Sequence, residues 1–398
     1  MARQQQRKKR IAGTGIDYSL LVVVVFLLGF GLVMLYSSSY YSASIKFNGD
    51  SAFFLKKQIV STAIGFIAMI FFMVLDYGLW KKMAWYIYGV SLVSIVLVLS
   101  PIGMEANGAR RWLNLKVLTV QPAEIAKIGV IIVLAAILSS NVKKVNGLIP
   151  MLFVFVIALV PAGMVFLITD NFSSALIIAA IGVIMLIVSC KHNKGFIALM
   201  IILVAVAAIG LMLLGGFRAT RILVWLDPEQ YASEGGFQVL QGLYAIGSGG
   251  LFGKGLGQSV QKLGFVPEAQ NDMIFTIICE ELGLFGGIAV LLLFAFLIWR
   301  FMVVANNAAD LFGSLIVVGV MAHIAVQVIL NVAVVTKTVP NTGITLPFIS
   351  YGGTSVLFLL SEIGLVLSVS RRSGRSTGRS TDRNSDRSAG RTERRGRA

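Results

Sequence analysis

"DYSLLVVVVFLLGFGLVMLYSS", residues 17–38, carries a single charge, Asp17, at its edge, and no proline. A helix rises about 1.5 Å per residue, so roughly 20 such residues cross a hydrocarbon core about 30 Å thick. Runs of the same kind recur at roughly 58–76, 82–101, 122–140, 147–168, 172–190, 195–215, 273–300, 310–335 and 347–370. The chain therefore reads as an all-α polytopic membrane protein with about ten transmembrane helices. Its composition agrees, with 57% hydrophobic residues, 13% charged residues and a mean hydropathy of +0.86 over 398 residues. No soluble domain of that size has such a balance, and a β-barrel would show alternating segments of about ten residues instead.

The net charge of +16 lies mainly in the two ends. Arg3, Arg7, Lys8, Lys9 and Arg10 precede the first run, and arginines recur from Arg371 onward. The first run is too long for a signal peptide and no small-residue cleavage site follows it. With the N-terminus inside, Lys81/Lys82, Lys143/Lys144, Lys191/Lys194, Arg300 and Arg371/Arg372 all fall on the cytoplasmic side, as the positive-inside rule asks. Lys56, Lys57, Arg110 and Arg111 fall outside. Removing one span would invert everything after it, so the number is even. The expected organisation is a basic N-terminus (1–16), a membrane domain (17–370) and an Arg/Ser-rich cytoplasmic tail (371–398) too poor in apolar residues to fold. The tail suits anionic lipid better than nucleic acid. A large outer loop, about 216–272, separates the seventh and eighth spans; its short apolar stretches suit re-entrant or interfacial pieces. Cys190 and Cys279 are too few for a disulfide framework, and His192 and His323 stand alone in sequence. "GSGGLFGKG" resembles a phosphate-binding loop but fails the pattern, with Ser248 at the first glycine and Gly255 after Lys254.

Three stretches could carry chemistry. In "FVPEAQNDMIFTIICEELG" (265–283), Glu268 and Asp272 are four apart at the outer mouth of a span, and share a face if the stretch is helical. Two nearby carboxylates, partly desolvated, push one pKa up and make a general base; acidic residues at a helix N-terminus look the same. Glu280 and Glu281 lie deeper, where at least one must face the protein interior. In "ANGARRWLNLKVLTVQPAEIAKIG" (106–129), Glu124 and Lys127 are spaced to neutralise each other within the bilayer, as a structural ion pair or part of a path for an anionic headgroup. "TVPNTGITLPFISYGGTS" (338–355) is irregular backbone at a membrane face, tolerated where it is buried or lines a wet cavity.

Together with "FFLKKQ" (53–58), "GARRWLNL" (108–115), "QPAEIAK" (121–127), the stretch 235–275 and "GITLPFISYGGTS" (343–355), these segments resemble the SEDS family of bacterial membrane proteins, which includes FtsW, SpoVE and RodA. "GQSVQKLGFVPEAQND" is more similar to the FtsW and SpoVE branch than to RodA. The resemblance implies ten helices with both termini inside, at the bacterial plasma membrane and its division septum. It implies polymerisation of lipid II into glycan strands at the outer face. The aspartate of the family's PEAHTD motif falls on Asp272; Gln270 and Asn271 stand where His-Thr is usual. "TDNFSS" (169–174) departs from the usual Pro-Asp-Leu-Gly turn, which leaves Asp170 a weak candidate.

The implied chemistry is a single inverting displacement, α-linked donor to β-linked product, with Asp272 as the base. Arg111, Lys127, Arg218, Arg221 and Lys262 are the cations expected at the leaving pyrophosphate, with Glu268 orienting Lys262 or helping to position substrate and Glu124 fixing Lys127. A divalent cation, Mg2+ or Mn2+, is the alternative source of positive charge. No ATP is needed, because the donor carries its own leaving group. The implied partners are a class B penicillin-binding protein with transpeptidase activity and other divisome membrane proteins. Two rival functions remain from the sequence, a lipid II flippase and a non-catalytic scaffold. Either should tolerate Asp272→Asn far better than a polymerase.

Overall fold

The computed structural model describes residues 15–106, 109–114, 119–145, 147–190, 194–201 and 217–373. Among these, nine helices are long and apolar enough to cross a membrane: α1 (Tyr18–Lys46), α2 (Phe53–Val74), α3 (Gly78–Val96), α4 (Pro122–Val145), α5 (Leu148–Ile168), α6 (Phe172–Ser189), α9 (Ile274–Asn307), α10 (Leu311–Val335) and α11 (Thr354–Ser373). Each answers to one apolar run in the sequence. Most of the remaining run, 195–215, lies outside the described residues, as do the N-terminus before Gly15 and the Arg-rich tail after Ser373. The chain is a multi-pass membrane protein.

Sequence explains where the helices start. Asp17 caps α1, accepting from Leu20 N at 3.0 Å, and Asn171 caps α6, accepting from Ser174 N at 3.0 Å. Asp310 caps α10 through Gly313 N (2.8 Å) and also accepts from Tyr77 Oη (2.9 Å), tying α10 to the α2–α3 turn. α1 runs to Lys46, beyond the end expected at 38, because Ser37, Ser38 and Ser39 are buried on the bundle rather than solvated. α4, α10 and α11 form the buried centre, while α2 and α3 turn most of their apolar surface outward, as lipid-facing helices do.

One end of the bundle carries the basic loops: Arg300 pairs with Asp17 (2.6 Å) and Arg372 with Asp76 (2.6 Å). The opposite end carries the elaborate connections. A small antiparallel sheet, β1 (Gly103–Ala106), β2 (Ala109–Asn114) and β3 (Thr119–Val120), fills the α3–α4 connection. The large loop holds two short helices, α7 (Phe217–Leu226) and α8 (Gly236–Ser248), followed by turns up to Met273. The α10–α11 connection is non-helical yet buries Ile344, Leu346, Phe348 and Ile349.

α9 is not one continuous rod. Gly283 has φ +69° and ψ −168°, outside helical space, and a Cβ there would sit 2.3 Å from Leu251 O. The break frees backbone groups that must be paired again in a membrane. The glycine-rich stretch supplies the partners: Lys254 N and Gly255 N donate to Glu280 O (3.0 Å) and Glu281 O (2.9 Å), while Leu284 N and Phe285 N donate to Gly250 O (2.9 Å) and Leu251 O (3.2 Å). The residues that resembled a phosphate loop are a backbone splint for a broken helix.

Candidate functional site

The connections at the elaborate end converge on Asp272, which stands just before α9 and is buried to 6% exposure. The stretch before it is a chain of turns rather than the helix that the Glu268–Asp272 spacing allowed. Glu268 adopts φ +53°, Asn271 N donates to its carbonyl at 2.9 Å, and the Asn271 side-chain amide donates to its carboxylate. Glu268 itself is exposed. Gln270, one of the two departures from the family motif, is buried, and its carbonyl accepts from Tyr351 N at 2.9 Å. That bond docks the α10–α11 connection onto the Asp272 segment.

Burial pushes the Asp272 carboxyl from 3.8 up to about 7, and the negative charge of Glu268 pushes the same way. Backbone N–H groups and the Gln238 amide on α8 partly oppose the rise. Asp272 Oδ1 is buried with no hydrogen-bond partner. Buried carboxylate oxygens are normally paired; Glu362 Oε1 is likewise without a partner, but its other oxygen meets His323 Nδ1, whereas Asp272 forms no ion pair among the described residues. A Cβ on Gly343 would lie 3.9 Å from Asp272 Oδ2, so the loop opposite presents bare backbone to the acid. Gly343 itself, at φ +67°, is in the left-handed region that favours glycine.

Around that acid the other elements interlock. Asn341 donates to Gln238 Oε1 (3.1 Å), and Arg221 on α7 donates to Asn341 O (3.2 Å). Trp225, one turn on, donates to Lys337 O at 2.9 Å, so α7 lies along the same connection. Ser173 donates to Thr342 O, and Arg111 on β2 holds the α5–α6 turn through Thr169 O (3.1 Å) and Asp170 O (2.9 Å). Arg111 and Arg221 thus both reach the elements framing Asp272. Arg218 stands three residues before Arg221 on α7.

The two predicted lysines are both buried and paired with acids. Lys262 is fully buried; its ammonium donates to Glu281 (2.7 Å) and Ser37 (2.9 Å) and faces the Tyr40 ring. It pairs with Glu281 and not with Glu268, which corrects that expectation: the turns before Asp272 carry Glu268 out to the surface. Glu281 also accepts from Gly257 N, while Glu280 takes Lys254 (2.6 Å), the Ser259 hydroxyl and two backbone N–H groups. Both glutamates act as anchors for the loop. Lys127 pairs with Glu124 at 2.7 Å, as the i,i+3 spacing expects, and also meets His323 Nε2 at 2.9 Å. His323 Nδ1 meets Glu362 at 2.8 Å, and its Nε2 meets Gln327 Oε1 at 2.9 Å. The sequence left His323 alone; three helices bring it into a buried polar chain. Among the described residues, no three His, Cys, Asp or Glu side chains form a metal-holding group.

Residues 18–375 match the family model of the FtsW, RodA and SpoVE proteins, described as cell cycle proteins. Stage V sporulation protein E of Bacillus subtilis is 40% identical over 365 residues, covering 90% of this chain and 98% of that protein. The probable peptidoglycan glycosyltransferase FtsW of Trichlorobacter lovleyi is 36% identical, covering 89% and 93%. Among solved structures, a chain of a peptidoglycan synthase complex that coordinates polymerization and crosslinking superposes with a TM-score of 0.74 at 26% identity, covering 90% of this chain and 98% of that one. The rod shape determining protein RodA of Thermus thermophilus superposes with a TM-score of 0.66 at 26% identity, covering 89% and 97%.

Proposed function

This chain belongs to the FtsW/RodA/SpoVE family of cell cycle proteins, and from that premise we propose how it works. It is a peptidoglycan glycosyltransferase that polymerises lipid II into glycan strands in septal cell-wall synthesis. Asp272 is the general base. The observation that carries this assignment is its buried carboxylate with one unpartnered oxygen, brought to about pKa 7 by burial. An acid titrating near the working pH combines a useful fraction of the basic form with a strong pull on the proton.

The 4-hydroxyl oxygen of the incoming sugar attacks C1 of the donor sugar from the face opposite the pyrophosphate. The C1–O bond to pyrophosphate breaks, the configuration inverts, and the hydroxyl proton passes to Asp272. Lipid pyrophosphate leaves with the bonding electrons, and Asp272 later yields its proton to water. The logic is that of an inverting glycosidase with a sugar hydroxyl in place of water. Arg111 and Arg221, with Arg218 on the same helix, are the cations proposed to steady the leaving group. Lys127 and Lys262 serve instead to hold Glu124 and Glu281.

The basic end of the bundle is the cytoplasmic side, with both termini there, and the Asp272 end faces outward to the wall, following the charge distribution. The partner that crosslinks the strands is a class B penicillin-binding protein, acting with other divisome membrane proteins. The deciding experiment is polymerisation of purified lipid II by this protein with its cognate transpeptidase, wild type against Asp272→Asn. Polymer from the wild type and none from a folded, partner-bound Asp272→Asn is the expected result. Normal polymerisation by that variant would sink the base assignment and return the flippase and scaffold readings.

A further inference from the structure

α10 carries polar side chains at positions 323, 327 and 331, spaced four apart and so stacked along one face of the helix. All three are buried. The upper two reach the α10–α11 connection at neighbouring residues. Gln327 Nε2 donates to Thr345 O at 3.0 Å. Asn331 Nδ2 donates twice, to Ile344 O at 2.7 Å and to Asp272 O at 2.8 Å. Asn331 has no exposed surface, and its own Oδ1 has no partner.

One amide nitrogen therefore ties together the peptide that carries the acid and the strand of loop facing it. Both hydrogens of the amide are used, so it cannot turn without losing a bond to a buried carbonyl. We propose that Asn331 is a positioning residue for polymerisation, setting the distance and angle between Asp272 and the 341–345 loop that faces it. The inference rests on the reading of Asp272 as base. Asn331 touches no reacting atom; it acts through the Asp272 main chain.

Asp272 lies between turns and the first residue of α9, where no regular ladder fixes its peptide. Its backbone carbonyl is held by a side chain from another helix, 59 residues away. The lower rung, Gln327, fixes the next loop residue from the same helix, so α10 sets the loop and the acid together. A shift of about 1 Å in a reacting group costs on the order of a hundredfold in rate. Loss of the clamp also loosens the packing that keeps Asp272 from water, and water entering there would move the acid back towards its ordinary range.

The test is lipid II polymerisation by the full chain with its transpeptidase partner, across pH, for wild type, Asn331→Leu, Asn331→Asp and Asp272→Asn, with rates normalised to folded protein. Asn331→Leu removes both donors; Asn331→Asp keeps the shape and replaces the donor with a second acceptor. The expected result is a fall in kcat of about ten- to a hundredfold for both, with KM for lipid II changed less than about threefold, and for Asn331→Leu an acidic limb displaced to lower pH; the like charge brought by Asn331→Asp displaces the limb to higher pH instead. A merely structural role lowers the folded fraction and leaves kcat per folded molecule and the limb in place; that outcome overturns the proposal. If Asp272→Asn is inactive while folded Asn331 variants keep the wild-type kcat and limb, the clamp is refuted and the base stands. If Asp272→Asn is active, both readings fall. Should Asn331→Leu not fold, the isosteric Asn331→Asp carries the same comparison.

Discussion

Asp272 and the Glu280/Glu281 pair lie within one stretch of sequence and are all buried carboxylates, yet their surroundings differ in kind. Glu281 is neutralised by Lys262 and bonded by Ser37 and Gly257 N; Glu280 is neutralised by Lys254 and bonded by Ser259 and backbone N–H groups. Among the described residues Asp272 forms no ion pair, has a like charge nearby, and has one oxygen with nothing to accept. Glu362 Oε1 is unpaired as well, but its other oxygen meets His323, so it is the lack of an ion pair among the described residues that sets Asp272 apart. On that difference rests the proposed division into anchors and base.

The largest effect that would sharpen this contrast is on rate. Asp272→Asn should lower polymerisation by about 10²–10⁴-fold with folding retained, the usual range for removing a general base. Below about pH 7 the wild-type rate should fall as Asp272 takes up a proton, read as the acidic limb of a pH–rate profile. Glu281→Gln should do the reverse, leaving the Lys262 ammonium buried without its counter-charge. A loss of about 3–5 kcal/mol of stability is expected, seen as a lower Tm and less folded protein in detergent, with kcat per folded molecule close to wild type. A large kcat loss at intact stability would break the distinction.

The sign of the stability change provides an independent check. Because burial raises the Asp272 pKa from 3.8 to about 7, the folded state holds that proton more tightly than the unfolded chain. The stabilising contribution is present at low pH and is lost as pH rises from about 4 to about 7. Above that, wild type buries an uncompensated charge. Asp272→Asn should therefore melt higher than wild type at pH 8, by up to on the order of 4 kcal/mol, with the gap closing towards pH 4. The smallest effect belongs to Glu268→Gln. Removing this exposed like charge should move the acidic limb slightly to lower pH, leaving Tm nearly unchanged.

The helices were legible because apolar length alone specifies a span, and nine runs became helices at nearly the predicted places. Asp272, the proposed base, was singled out by the motif around it. Its supports were not. Gln238, Asn331 and Asn341 are ordinary polar residues, and only the close approach of α8, α10 and the α10–α11 connection makes them neighbours. Lys262 and Glu268 looked like a pair because they are close in sequence, but a chain of turns sends one inward and the other out. His323 was isolated for the opposite reason: Lys127 and Glu362 reach it from α4 and α11. The β1–β3 sheet was hidden by strands too short to show a clear alternation.

The break at Gly283 also has a mechanical consequence. The part of α9 beyond it, residues 284–307, is about 36 Å long by helix geometry and can cross the hydrocarbon by itself. The short upper piece is surplus to spanning and works as a bracket, bolted to the 249–262 loop, with Asp272 at its tip. The same loop bonds residues on both sides of the break, so the bracket is fixed at a set angle to the spanning part and the place of the acid follows the loop rather than the line of the helix.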